Sequence, residues 1–91
     1  MHHLQLPEDL LVADLASMAL QLEAVLGDSP EVIDIDASRL EQVDTAGMQL
    51  LYAFARDAQR LGKVVHWHGL TPAVREAAQV LGMAALLTGE E

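Results

Sequence analysis

The chain has 91 residues, enough for one domain and too few for two, so residues 1–91 are expected to form a single domain. Five Lys and Arg residues against 14 Asp and Glu residues give a formal net charge of −9, which disfavours binding to nucleic acid. Cysteine does not occur, which excludes disulfides, thiol catalysis and cysteine-ligated zinc. The sequence shows neither a signal peptide nor an apolar run of about 18 residues, so we expect a cytoplasmic protein without membrane insertion.

The first third of the chain predicts two short extended segments and then a helix. Residues 2–6 and 10–12 are the expected strands. From Asp14 onward apolar residues recur at steps of three and four, the spacing of one helix face, until Gly27 ends the pattern. The residues on that face are Leu15, Met18, Leu22 and Val25 or Leu26.

Two later segments alternate between apolar and polar residues and are predicted to be strands with one apolar face and one polar face. In residues 31–37 the apolar face carries Ile33, Ile35 and Ala37, and the other carries Val32, Asp34 and Asp36. In residues 63–68 one face carries Val65 and Trp67, and the other carries Val64, His66 and His68. We expect Trp67 to belong to the core.

Residues 45–61 form the strongest predicted helix, with Asp44 as its N-cap and Gly62 after its end. The apolar stripe of this helix is Met48, Leu51, Phe54 or Ala55, Ala58 and Leu61. Another helix is predicted from Pro72, with Thr71 as its N-cap, and Gly82 is expected to end it.

This order of elements predicts a small α/β domain. Helices between the later strands require crossover connections and therefore parallel pairing of those strands. Because both alternating strands keep a polar face, we expect helices mainly on one face of a mixed sheet of about four strands. The short N-terminal part is expected to leave a sheet edge open, which would favour a homodimer or an obligate partner.

The most informative run is residues 43–48, which read Val-Asp-Thr-Ala-Gly-Met. The hydroxyl of Thr45 is expected in the first turn of the central helix, near the positive end of the helix dipole. A phosphate on Thr45 would gain electrostatic support there and would add about −1.5 to −2 charge to an exposed surface. Taken alone, the four residues from Asp44 to Gly47 also fit a simple helix start with a tolerant turn.

Residues 32–83 resemble the STAS domain, a family named from sulfate transporters and anti-sigma factor antagonists. The resemblance rests on the strand at 32–36, on residues 43–51, on the helix end Leu61-Gly62, and on the strand at 63–68. It continues through residues 71–75 to Leu81-Gly82-Met83. The run from Asp44 to Gly47 matches the family's Asp-Ser/Thr-x-Gly element, in which a kinase phosphorylates the Ser or Thr.

This resemblance implies a protein that is not an enzyme, needs no cofactor, and binds a partner protein in the bacterial cytoplasm. The partner would be a serine/threonine kinase, an anti-sigma factor or another signalling protein, and phosphorylation at Thr45 would release it. The same loop also resembles that of the STAS subunit of the phospholipid-transport ABC complex, where it contacts the ATPase; chemotaxis-linked STAS proteins look similar too. The partner-binding residues implied are Asp44, Thr45, Ala46, Gly47, Met48 and Gln49.

The sequence also offers residues for a metal site and for a small-ligand site. His66 and His68 are expected to share a sheet face with Asp34 and Asp36, and two imidazoles with two carboxylates could bind a divalent metal ion. Solvated residues on an open sheet face are the favoured interpretation, because nothing in the sequence fixes a tetrahedral spacing. A third hypothesis for function is a small-ligand or nucleotide site in the loops at the strand ends.

Overall fold

The computed structural model describes residues 2–27 and 31–83. These residues form five strands, three α-helices and one 3-10 helix. The strands are β1 (His2–Gln5), β2 (Asp9–Leu10), β3 (Val32–Asp36), β4 (Gln42–Val43) and β5 (Val64–His68). The α-helices are α1 (Leu15–Gly27), α2 (Thr45–Arg60) and α3 (Pro72–Val80), and the 3-10 helix is Val12–Asp14.

The strands pair in two parallel sheets. One sheet has the order β1-β3-β5, and the other consists of β2 and β4. The small α/β architecture and the parallel pairing of the later strands are confirmed, whereas the expected single mixed sheet is replaced by two parallel ones. Strand β4 was missed because two residues are too short to show alternation, and Val12 lies in the 3-10 helix instead of a strand. A homodimer through a sheet edge stays a prediction.

The alternation along the strands separates an apolar face from a polar one. Ile33, Ile35 and Trp67 are buried on the apolar face, in one core cluster with side chains from all three helices. Trp67 meets Phe54 edge to face, with ring centroids 6.4 Å apart. The predicted core position of Trp67 and the packing of helices mainly on one face are therefore confirmed. The helix residues in this cluster are Met18, Leu22, Val25, Met48, Leu51, Phe54, Val74 and Ala78.

The helix ends follow the sequence closely, with two corrections. Gly62 and Gly82 follow α2 and α3 with φ of 74° and 69°, a conformation that glycine adopts at low cost. Leu61 is exposed and does not extend the apolar stripe, because the helix has already ended. Thr71 precedes α3 as predicted, but its hydroxyl donates to the Leu40 carbonyl at 2.7 Å instead of capping the helix.

Candidate functional site

Thr45 is the first residue of α2 and its side chain is exposed. Asp44, with an extended backbone, precedes it as the N-cap. The Asp44 carboxylate accepts a hydrogen bond from the Gly47 backbone N–H at 2.8 Å, which satisfies one of the helix's first-turn donors. The predicted cap is therefore confirmed, and it holds Thr45 in a fixed position at the helix start.

The same carboxylate also joins two segments that are distant in sequence. One Asp44 oxygen, Oδ1, receives the Gly47 N–H, while Oδ2 receives the backbone N–H of Val12 at 2.9 Å. Val12 lies 32 residues earlier, in the 3-10 helix, and its side chain is 70% exposed. An apolar side chain therefore projects into solvent from a segment tied to the N-cap. The sequence analysis did not identify Val12 as part of this surface.

Gly47 is required by a close approach of the backbone. A Cβ atom at this position would lie 2.3 Å from the Leu10 carbonyl oxygen and 2.9 Å from a methyl carbon of Val43. Neither distance is physically acceptable, and a backbone carbonyl cannot move aside as a long side chain can. The glycine therefore lets the first turn of α2 rest against β2 and β4, which sets the orientation of Thr45.

The six predicted partner-binding residues differ in accessibility. Thr45 and Gln49 are exposed, Asp44 and Ala46 are half-buried, and Gly47 and Met48 are buried. A partner can therefore touch the first four directly. Gly47 and Met48 instead shape the surface from beneath, since Met48 belongs to the core cluster.

An exposed stripe continues along α2 from Thr45. Gln49, Tyr52 and Arg56 follow at steps of four, three and four residues, so they lie on one side of the helix with Thr45. The Arg56 guanidinium lies 5.9 Å from the centre of the Tyr52 ring, a cation–π contact. The spacing of these four residues is present in the sequence, but only the buried stripe of this helix was predicted from it. We call Thr45, Gln49, Tyr52, Arg56 and Val12 the α2 surface.

Acidic residues lie at the start of the two short strands that lead to this surface. Glu8, Asp9 and Glu41 are exposed, and the Glu41 backbone N–H donates to the Glu8 carbonyl at 2.8 Å, which places the two residues together at the start of β2 and β4. With a formal net charge of −9 for the whole chain, this region favours a partner that presents basic groups.

Comparison with known proteins identifies the family. The sequence matches the family described as "Mlab, STAS domain" over residues 2–88, almost the whole chain. The chain belongs to this STAS domain family. The fold of a crystal structure titled as a sulfate transporter family protein from Wolinella succinogenes is similar, with a TM-score of 0.76 and 19% sequence identity. That likeness covers 94% of this chain and 70% of the other. No curated protein matches the sequence.

This STAS domain also has a groove at the end of β1, with a volume of about 320 Å³. Asp9, Asp14 and Arg39 contribute charged groups to its wall, and no residue of α2 lines it. The groove matches the general location of the third hypothesis, a small-ligand site at the strand ends. A ligand there stays a prediction. Within residues 2–27 and 31–83, no helix is long and apolar enough to cross a membrane.

The polar face of the main sheet differs from the expected solvated one. Asp34 is only 7% exposed, and its Oδ1 lies 2.6 Å from His68 Nε2 and 3.7 Å from His66 Nδ1. The hydrogen bond with His68 lowers the pKa of Asp34, and the nearby imidazoles add to this effect against the opposing effect of burial. The parallel register pairs Asp34 with His66, and His68 lies two residues further along β5 on the same face, so both imidazoles can reach the carboxylate.

Asp36 does not join this group. Its carboxylate accepts hydrogen bonds from the Ser38 hydroxyl at 2.6 Å and the Ser38 backbone N–H at 2.9 Å. These bonds lower the pKa of Asp36. Of the four residues predicted to share this face, the structure thus brings three together, namely Asp34, His66 and His68.

Proposed function

We propose that this STAS domain is a non-enzymatic regulatory protein that binds a partner protein through the α2 surface. The observation that carries the proposal is the exposed Thr45 at the first position of α2, fixed by the Asp44 cap and the close packing at Gly47. A rigidly held surface loses little conformational freedom on binding, which favours affinity. The proposed partner is a serine/threonine kinase, an anti-sigma factor or another signalling protein in the bacterial cytoplasm.

Phosphorylation of Thr45 is the proposed control. The helix dipole and the backbone N–H groups of the first turn favour a negative group at this position, so the fold would tolerate the phosphate. A partner that is apolar or acidic where it covers Thr45 would not, because about −1.5 to −2 charge would enter that contact beside Asp44. Burying that charge against an apolar part of the partner would remove its hydration, and the cost would release the partner. A kinase that modifies Thr45 would itself need basic residues to approach this acidic region.

A second candidate is an accessory subunit of a phospholipid-trafficking ABC transporter. The loop from Asp44 to Gly47 resembles that of the STAS subunit of the phospholipid-transport ABC complex, which favours this candidate. The matched family is described as "Mlab, STAS domain", in agreement with that resemblance. In this case the α2 surface would dock stably on the ATPase subunit, and Thr45 would contribute by its shape and neutrality, with no phosphorylation. Both candidates use the same surface, so they differ in the partner and in the modification.

The experiment is capture of partners from native cells with four forms of the protein. The forms are wild type, Thr45→Asp, Thr45→Ser and Gln59→Asp. Gln59 is exposed on α2, 14 residues after Thr45 and therefore about 21 Å away, so it receives the same charge change outside the proposed contact.

The two candidates predict different results. A signalling protein bound to wild type and to Gln59→Asp but not to Thr45→Asp, together with phosphate on the Thr45 peptide by mass spectrometry, supports the regulatory function. An ATPase bound to an unmodified protein, retained in Thr45→Ser and lost in Thr45→Asp, supports the transporter function. Capture of the same partners by wild type and Thr45→Asp would show that this surface is not the binding site.

A further inference from the structure

The polar face of the main sheet brings three metal-ligating side chains together. Ligand atoms of Asp34, His66 and His68 all lie within 4.8 Å of one another. They come from two neighbouring strands, because β3 supplies the carboxylate and β5 supplies both imidazoles. The two histidine side chains are 35% and 36% exposed, so an ion can reach them from solvent. The face lies opposite the one packed against the helices, and is thus separate from the α2 surface.

A second observation points to a ligand at this position. Asp34 Oδ2 is buried and has no hydrogen-bond partner among the described residues, while Oδ1 alone meets both histidines. A buried carboxylate oxygen without a partner is costly, because that oxygen loses its hydration and gains no hydrogen bond in return. A cation bound to Oδ1 would neutralise the carboxylate, and bidentate binding would also give Oδ2 a partner.

We propose that Asp34, His66 and His68 bind a divalent transition-metal ion of the zinc class. Two imidazoles and one carboxylate suit such an ion, whereas calcium and magnesium prefer oxygen ligands alone. Tetrahedral zinc with bonds of about 2.0–2.2 Å places its ligand atoms about 3.3 Å apart. The observed separations of 2.6 and 3.7 Å from Asp34 Oδ1 lie on either side of that value. The third separation, between the two imidazole nitrogens, is at most 4.8 Å, so forming the site also requires the two rings to lie as close as about 3.3 Å.

The remaining coordination position has a candidate on β1. His3 is paired in register with Asp34, lies on the same face, and is exposed. A water molecule can take this position equally well, because the face is accessible. With either fourth ligand, the ion would connect β3 to β5 and stabilise the folded state by an amount that rises with the logarithm of its free concentration above the dissociation constant.

The test is zinc and cobalt binding to the full chain without an affinity tag, after removal of metal by a chelator. We expect one ion per chain by titration calorimetry, a higher melting temperature with zinc, and a visible cobalt spectrum of tetrahedral type. His66→Gln, His68→Gln and Asp34→Asn should each weaken binding at least tenfold. Asp57→Asn should bind like wild type, since it makes the same charge change on α2, which packs on the opposite face.

Two results with zinc and cobalt would overturn the proposal. One is wild-type protein that binds neither zinc nor cobalt, and the other is a pair of histidine variants that bind as tightly as wild type. The histidines are partly exposed, so their variants should fold even if the buried Asp34 tolerates no change. Folding of each variant is checked by circular dichroism before titration. Magnesium and calcium serve as further probes, and tighter binding of either than of zinc would also contradict the assignment.

Discussion

Replacing Gly47 with alanine tests whether the start of α2 is held as tightly as the structure indicates. The added Cβ would lie 2.3 Å from the Leu10 carbonyl oxygen, inside the first turn that carries Thr45. Relief requires a shift of β2 or of the helix itself, because both atoms in conflict are close to backbone. Gly27→Ala is a matched control, since Gly27 ends α1 and a Cβ there meets nothing within 4 Å.

The expected cost follows from two opposing effects. Overpacking typically costs about 1–3 kcal/mol, and a conflict with a backbone oxygen belongs at the upper end. Alanine is favoured over glycine within a helix by about 1 kcal/mol, which offsets part of this cost. The net loss for Gly47→Ala is therefore about 2 kcal/mol, equivalent to a fall in melting temperature of about 10 °C for a domain of this size. Gly27→Ala should be neutral or stabilising by a few tenths of a kcal/mol.

Urea unfolding of wild type and both variants, followed by circular dichroism, measures these differences. We expect the unfolding free energy of all three proteins to depend on urea concentration with the same slope. Only Gly47→Ala should have a lower midpoint urea concentration. A Gly47→Ala protein as stable as wild type would refute the reasoning, because a Cβ atom at position 47 would then fit between α2 and β2 without a conflict. The same variant should also bind a captured partner more weakly, since the shift moves Thr45.

Substitutions at three other positions have definite expectations. Asp44→Ala removes both hydrogen bonds of the N-cap carboxylate and should lower the free energy of unfolding in urea by about 2 kcal/mol. Asp44→Asn should lower it by about half as much. Equal stability of wild type and both variants would contradict the role of the cap. Thr71→Val removes the hydrogen bond to the Leu40 carbonyl and should cost about 1 kcal/mol, whereas Thr71→Ser should be near wild type; an inverted order would argue against that bond. Ser38→Ala tests the lowered pKa of Asp36: the ionised carboxylate stabilises the fold above its ordinary pKa of 3.8, and this contribution is lost as the pH falls through the lower folded value. The stability difference from wild type, measured in chelator, should thus be fully present above the ordinary pKa of 3.8 and should shrink as the pH falls below it, and a difference independent of pH would count against it.

Local patterns predicted the elements that depend on neighbours in sequence. The apolar positions of α2 repeat with the helical period, and Met48 and Phe54 are buried as that repeat requires. Asp44 acts as the N-cap because a carboxylate before a helix can reach a first-turn N–H only a few residues away. The residues in such contacts lie within one or two helical turns of each other, so the contacts can be predicted from the sequence alone.

The features that were missed depend on residues far apart in the chain. The hydrogen bond from Val12 to Asp44 spans 32 residues, and the need for glycine at 47 comes from a carbonyl on β2. Burial of Asp34 likewise depends on the register between β3 and β5, which alternation within one strand does not specify. These contacts give the α2 surface its shape and the polar face its cluster.

The central claim is that the start of α2 binds a partner and that charge at Thr45 controls it. The most direct measurement is the dissociation constant of the captured partner for three purified proteins: unmodified, phosphorylated at Thr45 alone, and Gln59→Asp. We predict a loss of at least tenfold, equivalent to about 1.4 kcal/mol, for the phosphorylated protein, and unchanged affinity for Gln59→Asp. Equal affinity of the unmodified and phosphorylated proteins would contradict the claim.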